Sequence, residues 1–360
     1  ESWADLDALG QKVDKELAEG DVRLTMGGEP TFVSIDDFEA AEWNTAAVGP
    51  TKRALADDLI RRLRDRFAPG GMLHYGQGKW YPGETLPRWT FSLYWRGDRK
   101  PVWRDADLIA REGKSNGATS EHARQMVESM ASELGLSEDL VEPAYEDPAE
   151  WLLREASLPE NVTPENSKLK DPEERQRIAK VFERGLTEPV AFVIPVQRWQ
   201  AKAATSRWRS EKWSFRRGKL FLVPGDSAAG YRLPLESLPH LPPAIYPYMN
   251  ITDPAEPRGP LPEYSIEEAV EQRGAEAGTR QTVSSRKEAV KGQDVREQQV
   301  TPQEEVSVRT ALSVEARNGH LCVFIPPTEA LEDYLELVAA AEKAAKEVGQ
   351  PVHIEGYGPP

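Results

Sequence analysis

Four stretches of the chain combine residue types that handle phosphate, metal or carboxyl groups. In MGGEPTFVSIDD, Glu29 follows two glycines at the end of a strand-like run, VRLTMGG. A carboxylate beside Gly-Gly suits a hard cation such as Mg²⁺, which takes few protein oxygens and keeps its other positions for water and phosphate. The same residues also read as a Glu-Pro turn with Asp36 and Asp37 as helix-capping acids. In HYGQGKWYPGETLPRW, Lys79 stands in a Gly-Gln-Gly-Lys loop and Arg88 follows nine residues on. A lysine on a glycine-rich loop can reach phosphate oxygens. Trp80 occupies the place where a phosphate-binding P-loop needs Ser or Thr, so this is not that motif. The other reading is an aromatic turn that packs Tyr75, Trp80 and Tyr81 on a sheet.

Lys52 and Arg53 open a helical pattern after Gly49-Pro50-Thr51, with Thr51 as its expected N-cap. Cations at a helix N-terminus oppose the macrodipole, which points either to an anion nearby or to a solvated pair. Residues 198–219 hold eight Lys and Arg against the single acid Glu211, interleaved with Trp199, Trp208, Trp213 and Phe215. Such interleaving can stack and neutralise single-stranded nucleic acid. It also describes a β-hairpin with one aromatic core face and one solvated basic face. The acidic chain around it favours the hairpin.

Other chemistries find no support. The five histidines are scattered without metal-ligand spacing. Cys322 lies in the apolar run LCVFI and reads as an inert core thiol. A lone cysteine also excludes a disulfide framework and fits a reducing, cytoplasmic compartment. Of 360 residues, 45 are Lys or Arg and 60 are Asp or Glu, a formal net charge of −15 that argues against general nucleic-acid binding. No apolar run is long enough to span a bilayer, so no membrane association is expected. The first residues read as an acidic amphipathic helix, not a signal peptide, and the chain opens on Glu1, as a piece of a longer protein would.

The elements that must position these residues divide into three regions. Residues 1–252 read as the main α+β region. Helical spacing covers 2–19, 51–67, 121–134 and 171–183, the second with Leu55, Leu59, Leu63 and Phe67 on one face and charges opposite. Strands are expected at 90–96, 190–196, 213–223 and 231–234, with 72–89 loop-rich. Residues 253–305 carry 12 acids, 7 bases and one aromatic, Tyr264, and read as a disordered polar linker or insertion. Residues 306–360 read as a smaller unit: a strand at 307–314, an Asn318-Gly319 hairpin turn, a return strand at 320–325, a helix from its Thr328 cap to Val348, and a strand from Val352. The expected fold is α+β, a mixed or antiparallel sheet with flanking helices and a long insert.

LTMGGEPTFVSIDD, EWNTAAVGPTKR, HYGQGKWYPGETLPRW, PGDSAAGYRLPL and RTALSVEARNGHLCVFIPP together resemble a bacterial family of predicted amidoligase domains. Such a domain usually lies C-terminal to a transglutaminase-like domain in one polypeptide, which would be the partner. The resemblance implies a glutamine-synthetase-like or glutamate–cysteine-ligase-like fold. It also implies an ATP- and Mg²⁺-dependent joining of a carboxylate to an amine, with a peptide or amino acid as substrate. By that likeness Glu29 would hold metal; Lys79 and Arg88 would contact phosphate, with Lys52 and Arg53 as further cofactor contacts. Asp226 and Arg232 would orient substrate. Later family motifs are expected beyond HIEGYGPP, so this chain resembles the N-terminal part and is expected to lack turnover alone. The alternative is a non-catalytic module that presents a peptide or protein to the transglutaminase-like domain.

Overall fold

The computed structural model describes residues 2–20, 37–44, 49–77, 89–149, 186–198, 208–223, 230–243, 246–249, 259–263 and 308–360, with Leu153. It separates into two compact units, Glu1–Thr45 and Ala46–Pro360. In the first, α1 (Trp3–Glu19) is closed at its start by a reciprocal capping box: Asp5 N donates to Ser2 Oγ and Ser2 N to Asp5 Oδ2. Its apolar residues Trp3, Leu6, Leu9 and Val13 are exposed. One further turn, α2 (Ala41–Asn44), is described. The expected strand carrying Glu29 lies outside the described residues.

The second unit is built on one mixed eight-stranded sheet, ordered β2-β1-β8-β7-β6-β4-β3-β5. The strands are β1 (Met72–Gln77), β2 (Trp89–Tyr94), β3 (Glu142–Glu146), β4 (Ala191–Pro195), β5 (Leu220–Leu222), β6 (Ala311–Arg317), β7 (His320–Ile325) and β8 (Val352–Gly356). β6 and β7 join through Asn318-Gly319, both at positive φ (53° and 77°), as a two-residue hairpin turn requires. β8 then runs parallel to both β7 and β1, the crossover being made by a helix.

Alternation along the strands gives the sheet two unlike faces. On one, Leu312, Val314, Leu321, Val323, Ile325, Val352 and Ile354 form a continuous apolar surface. Two helices cover it: α4 (Ser120–Glu133) through Ala123, Met126, Val127 and Met130, and the crossover helix α5 (Leu331–Val348) through Tyr334, Leu337, Val338 and Ala341. Each such large side chain contributes about 1.5–3 kcal/mol on burial. On the other face the β3–β5 end is apolar, with Ala144, Ala191, Val193, Leu220 and Leu222 under Trp213 and Leu238. Its middle, over β6, β7 and β8, is charged.

That charged middle explains an inversion in α3 (Pro50–Phe67). Its leucine stripe does not face the sheet: Leu55, Leu59, Leu63 and Phe67 are exposed, and Asp57, Ile60, Arg61 and Arg64 are buried. The strands beneath offer Tyr75, His353 and nearby Glu112, which need polar partners, so the charged face turns inward. Tyr75 donates to Asp57 Oδ1 at 2.6 Å, Arg61 Nε to Asp57 Oδ2 at 2.9 Å, and Arg53 pairs with Glu112 at 2.7 Å.

Several local expectations change. Residues 72–77, expected as loop, form a strand because Leu73 and Tyr75 alternate with Met72 and His74 to serve both faces. The strand expected at 213–223 shrinks to β5, and that at 231–234 to a single bridge, Val223↔Arg232. Gly49 precedes α3 with Pro50 as its first residue, leaving Thr51 inside the helix. The Thr328 cap gives way to a start after Ala330, since Glu329 and Ala330 form a bend. The helix expected at 171–183 and residues 253–258 and 264–305 of the expected insert lie outside the described residues. Within that insert, Leu261 and Pro262 are held through their carbonyls by Arg96. Among the described residues no helix is long and apolar enough to cross a membrane.

Candidate functional site

Three neighbouring strands place a row of charge across the middle of the sheet. β6 supplies Glu315 and Arg317, β7 supplies Cys322 directly opposite Glu315, and β8 supplies Glu355. All four lie on the same face, because each is separated from the others by an even number of steps in register. Arg317 reaches across β7, its Nη1 on Glu315 and its Nη2 on Glu355. The carboxylates are deep: 9% of the Glu315 side chain and 4% of the Glu355 side chain are exposed, against 22% for Arg317. Among the described residues, Glu315, Cys322 and Glu355 are where three possible metal ligands converge within 4.8 Å of one another.

Burial dominates the electrostatics. It raises the Glu355 carboxyl to about 7, against the pull of Arg317 and with a push from Glu315. It also raises the Cys322 thiol well above its ordinary value, so this sulfur is a protonated, inert group at neutral pH. For Arg317 burial acts downward, yet the neighbouring Glu315 and Glu355 carboxylates hold the guanidinium firmly charged.

The row has polar flanks on both sides. Toward α3, the His320 and His353 rings meet at a tilt of 56° with centroids 4.9 Å apart, and the His353 ring centroid lies 4.4 Å from that of Tyr75. Burial depresses both histidines, so neutral imidazoles face Glu112, 3.7 Å from His353 Nδ1. The Asn116 amide lies 3.2 Å from His320 Nδ1. Toward β5, Tyr231 donates to Glu146 Oε2 at 2.7 Å and Arg232 lies over the Phe324 ring, 5.6 Å from its centroid. Between them Gly230 stands at φ +68°, and a Cβ there would run into the ends of the Arg317 and Glu315 side chains. The left-handed backbone there favours glycine.

Of the residues singled out from sequence, Arg232 borders this charged row. Arg53 lies on its α3 side, paired with Glu112. Lys52 is half-buried in the same turn. Glu29, Lys79, Arg88 and Asp226 lie outside the described residues. Glu315, Arg317 and Glu355 were not singled out, although a signal existed. Both SVEAR and HIEGYG put charges in phase within runs that otherwise alternate as buried strands. The basic stretch 198–219 meets acids: Arg198 pairs with Asp333 at 3.3 Å and also with Glu336, and Lys212 and Arg217 lie 4.0 and 3.9 Å from Glu142 and Asp147. Its Trp208 and Trp213 are buried, the latter donating to the Val308 carbonyl.

A mixed sheet with α4 and α5 on one face and a buried charged row beside α3 on the other defines an α+β protein whose site rests on its central strands. The chain belongs to the family described as "Putative amidoligase enzyme (DUF2126)", whose sequence model matches residues 1–360. No curated protein and no solved structure matches it.

Proposed function

We propose that this chain carries the nucleotide- and metal-binding part of an ATP-dependent carboxylate–amine ligase, centred on Glu315, Arg317 and Glu355. One observation carries the reading: β6 and β8, at the centre of the sheet, place two buried carboxylates and the guanidinium that pairs them where apolar residues would be more stable. Such an expense recurs where charge is needed for chemistry. In the reaction, ATP transfers its γ-phosphoryl group to a substrate carboxylate, giving an acyl phosphate and ADP. The lone pair of the amine then attacks the acyl carbon, the C–O bond to phosphate breaks, and the nitrogen gives up one proton to the departing phosphate, leaving the amide.

Glu315 and Glu355 are hard oxygen donors that fit Mg²⁺; Cys322 is too soft to serve it. The bound ion would supply neutralisation of phosphate charge. Arg317 and Arg232 would bind phosphoryl oxygens or the substrate carboxylate, and the neutral His320–His353 pair would sit beside the row. Glu29 as a further metal ligand, and Lys79, Arg88, Lys52, Arg53 and Asp226 in phosphate or substrate contacts, follow from the family likeness. The substrate would be a peptide or amino acid, the partner a transglutaminase-like domain in the same polypeptide, and the compartment the cytoplasm.

Thermal shift with Mg-ATP tests the reading. Saturation at about 100 times Kd adds roughly 2.7 kcal/mol, a few degrees. The shift should appear in the parent and vanish in Glu315→Gln, Glu355→Gln and Lys79→Ala. Its absence both from this chain and from a polypeptide that includes the transglutaminase-like domain would overturn the ligase reading. A second reading, a module that recognises a protein, is favoured by the exposed stripe of Leu55, Leu59, Leu63 and Phe67 on α3.

A further inference from the structure

The carboxylates of Glu315 and Glu355 sit on β6 and β8 with a strand between them, and one side chain bridges the gap. Arg317 is the outermost of the group: its side chain is 22% exposed, and the two carboxylates beneath it are 9% and 4% exposed. Its two terminal nitrogens take one carboxylate each, so a single planar cation closes both acids at once. Gly230 lies beside it, and with no side chain it leaves room for Nη1 over the pair. A divalent ion that ligates both carboxylates must therefore occupy the space Arg317 now fills. Two cations cannot share it, because their mutual repulsion in a buried site is strong.

We propose that Arg317 is a built-in surrogate for the divalent cation. It neutralises the Glu315–Glu355 pair when no metal is bound, and it moves onto the phosphate of an incoming metal–nucleotide as the metal takes its place. The inference rests on the ligase reading for its nucleotide half only. The exchange of guanidinium for metal stands on the ion-pair geometry. Released from the carboxylates, a guanidinium needs another anion, and phosphate offers the same fork-shaped recognition. Metal alone then binds weakly, because nothing rewards the displaced arginine. Metal with nucleotide binds well, because the arginine gains a new partner, and such a site does not trap free metal ions.

Calorimetric titration of the 360-residue chain with Mn²⁺ alone, and with Mn²⁺ plus a non-hydrolysable ATP analogue, tests this. The parent should bind Mn²⁺ alone at least tenfold more weakly than in the presence of the analogue. Arg317→Met should bind Mn²⁺ alone at least tenfold more tightly than the parent and lose most of the gain from nucleotide. Its melting temperature should fall without metal and recover when Mn²⁺ is added. Arg317→Lys, which keeps the charge but not the fork, should lie between the two, and it serves if the Met variant does not fold. Unchanged Mn²⁺ affinity in a folded Arg317→Met or Arg317→Lys chain would overturn the surrogate role, whatever the nucleotide does. Tighter Mn²⁺ binding by the variants, with no nucleotide binding by the parent, would keep the guanidinium–metal exchange and overturn the ligase reading instead.

Discussion

The Tyr75 hydroxyl donates to Asp57 Oδ1 at 2.6 Å, joining the middle of β1 to the buried face of α3. The same carboxylate takes Arg61 Nε on its other oxygen, and Arg61 continues to the carbonyls of Ile109 and Ala110. A helix is thus fastened to a sheet by a chain of polar contacts, each needing the next. Tyr75→Phe should remove about 1.5–3 kcal/mol, since it strips a hydrogen bond from a buried charged acceptor. Arg61→Met should remove more, about 3–5 kcal/mol, because it leaves Asp57 buried without its cation. Urea unfolding of the two variants checks the order. Equal stability of Arg61→Met and the parent would mean α3 is held by something else.

The exposed stripe on the opposite side of α3 leads to the reverse expectation. Leu59 is 56% exposed, and Leu59→Lys should alter stability by no more than about 0.5 kcal/mol. A loss of several degrees in melting temperature would show that the stripe is covered in solution. Changed retention on a sizing column without such a loss would mark it as a contact surface between molecules.

Glu342 on α5 is 1% exposed and accepts the backbone N–H groups of Arg104 and Asp105 at 2.6 and 2.7 Å. It fastens the 104–105 segment to the helix. Glu342→Ala should destabilise by about 2–4 kcal/mol, through two stranded N–H groups and a cavity, and Glu342→Gln by less. Burial raises this carboxyl above its ordinary value. Its contribution to stability is therefore full in acid, below the unfolded value, and declines as pH rises through the folded one. In Glu342→Gln that part of the pH dependence should disappear from thermal melts; an unchanged profile would assign the slope elsewhere.

His74 has the opposite sign. It is 3% exposed on β1, its ring nitrogens lack well-aligned partners, and burial lowers it to about 4, which the backbone of Gly356 and Tyr357 offsets only in part. The ring is neutral in the fold and ordinary, near 6.5, in the unfolded chain. Its stabilisation is present above pH 6.5 and is lost as pH falls toward 4, by up to about 1.4 kcal/mol per pH unit. His74→Phe should flatten stability across that window. A slope as steep as the parent's would place the acid sensitivity at another group.

How far the sequence reveals this structure depends on what each element packs against. β7, the Asn318-Gly319 turn and α4 are legible because period and turn chemistry agree with burial. Helix α3 is legible as a helix, but its orientation is not. The leucine stripe points to a core, and only the charge on distant β8 and at Glu112 explains why Asp57 and Arg61 face inward. The candidate site is hidden for a related reason. Glu315, Arg317 and Glu355 are ordinary surface-type residues on paper, and they become unusual only when register sets three strands side by side. Arg232 is reached only through the family likeness of PGDSAAGYRLPL, since its own surroundings read as a short strand.

The three middle strands of the sheet, β8, β7 and β6, all come from residues 308–360, and β1 and β4 flank them from far earlier in the chain. The β1–β2 pair and the β3–β4–β5 group share no edge of their own. During synthesis both must wait, with unpaired borders, until those later residues have left the ribosome. Assembly is then a late, long-range closure, slow by its topology, and the pair of acids and the arginine come together only in that final step.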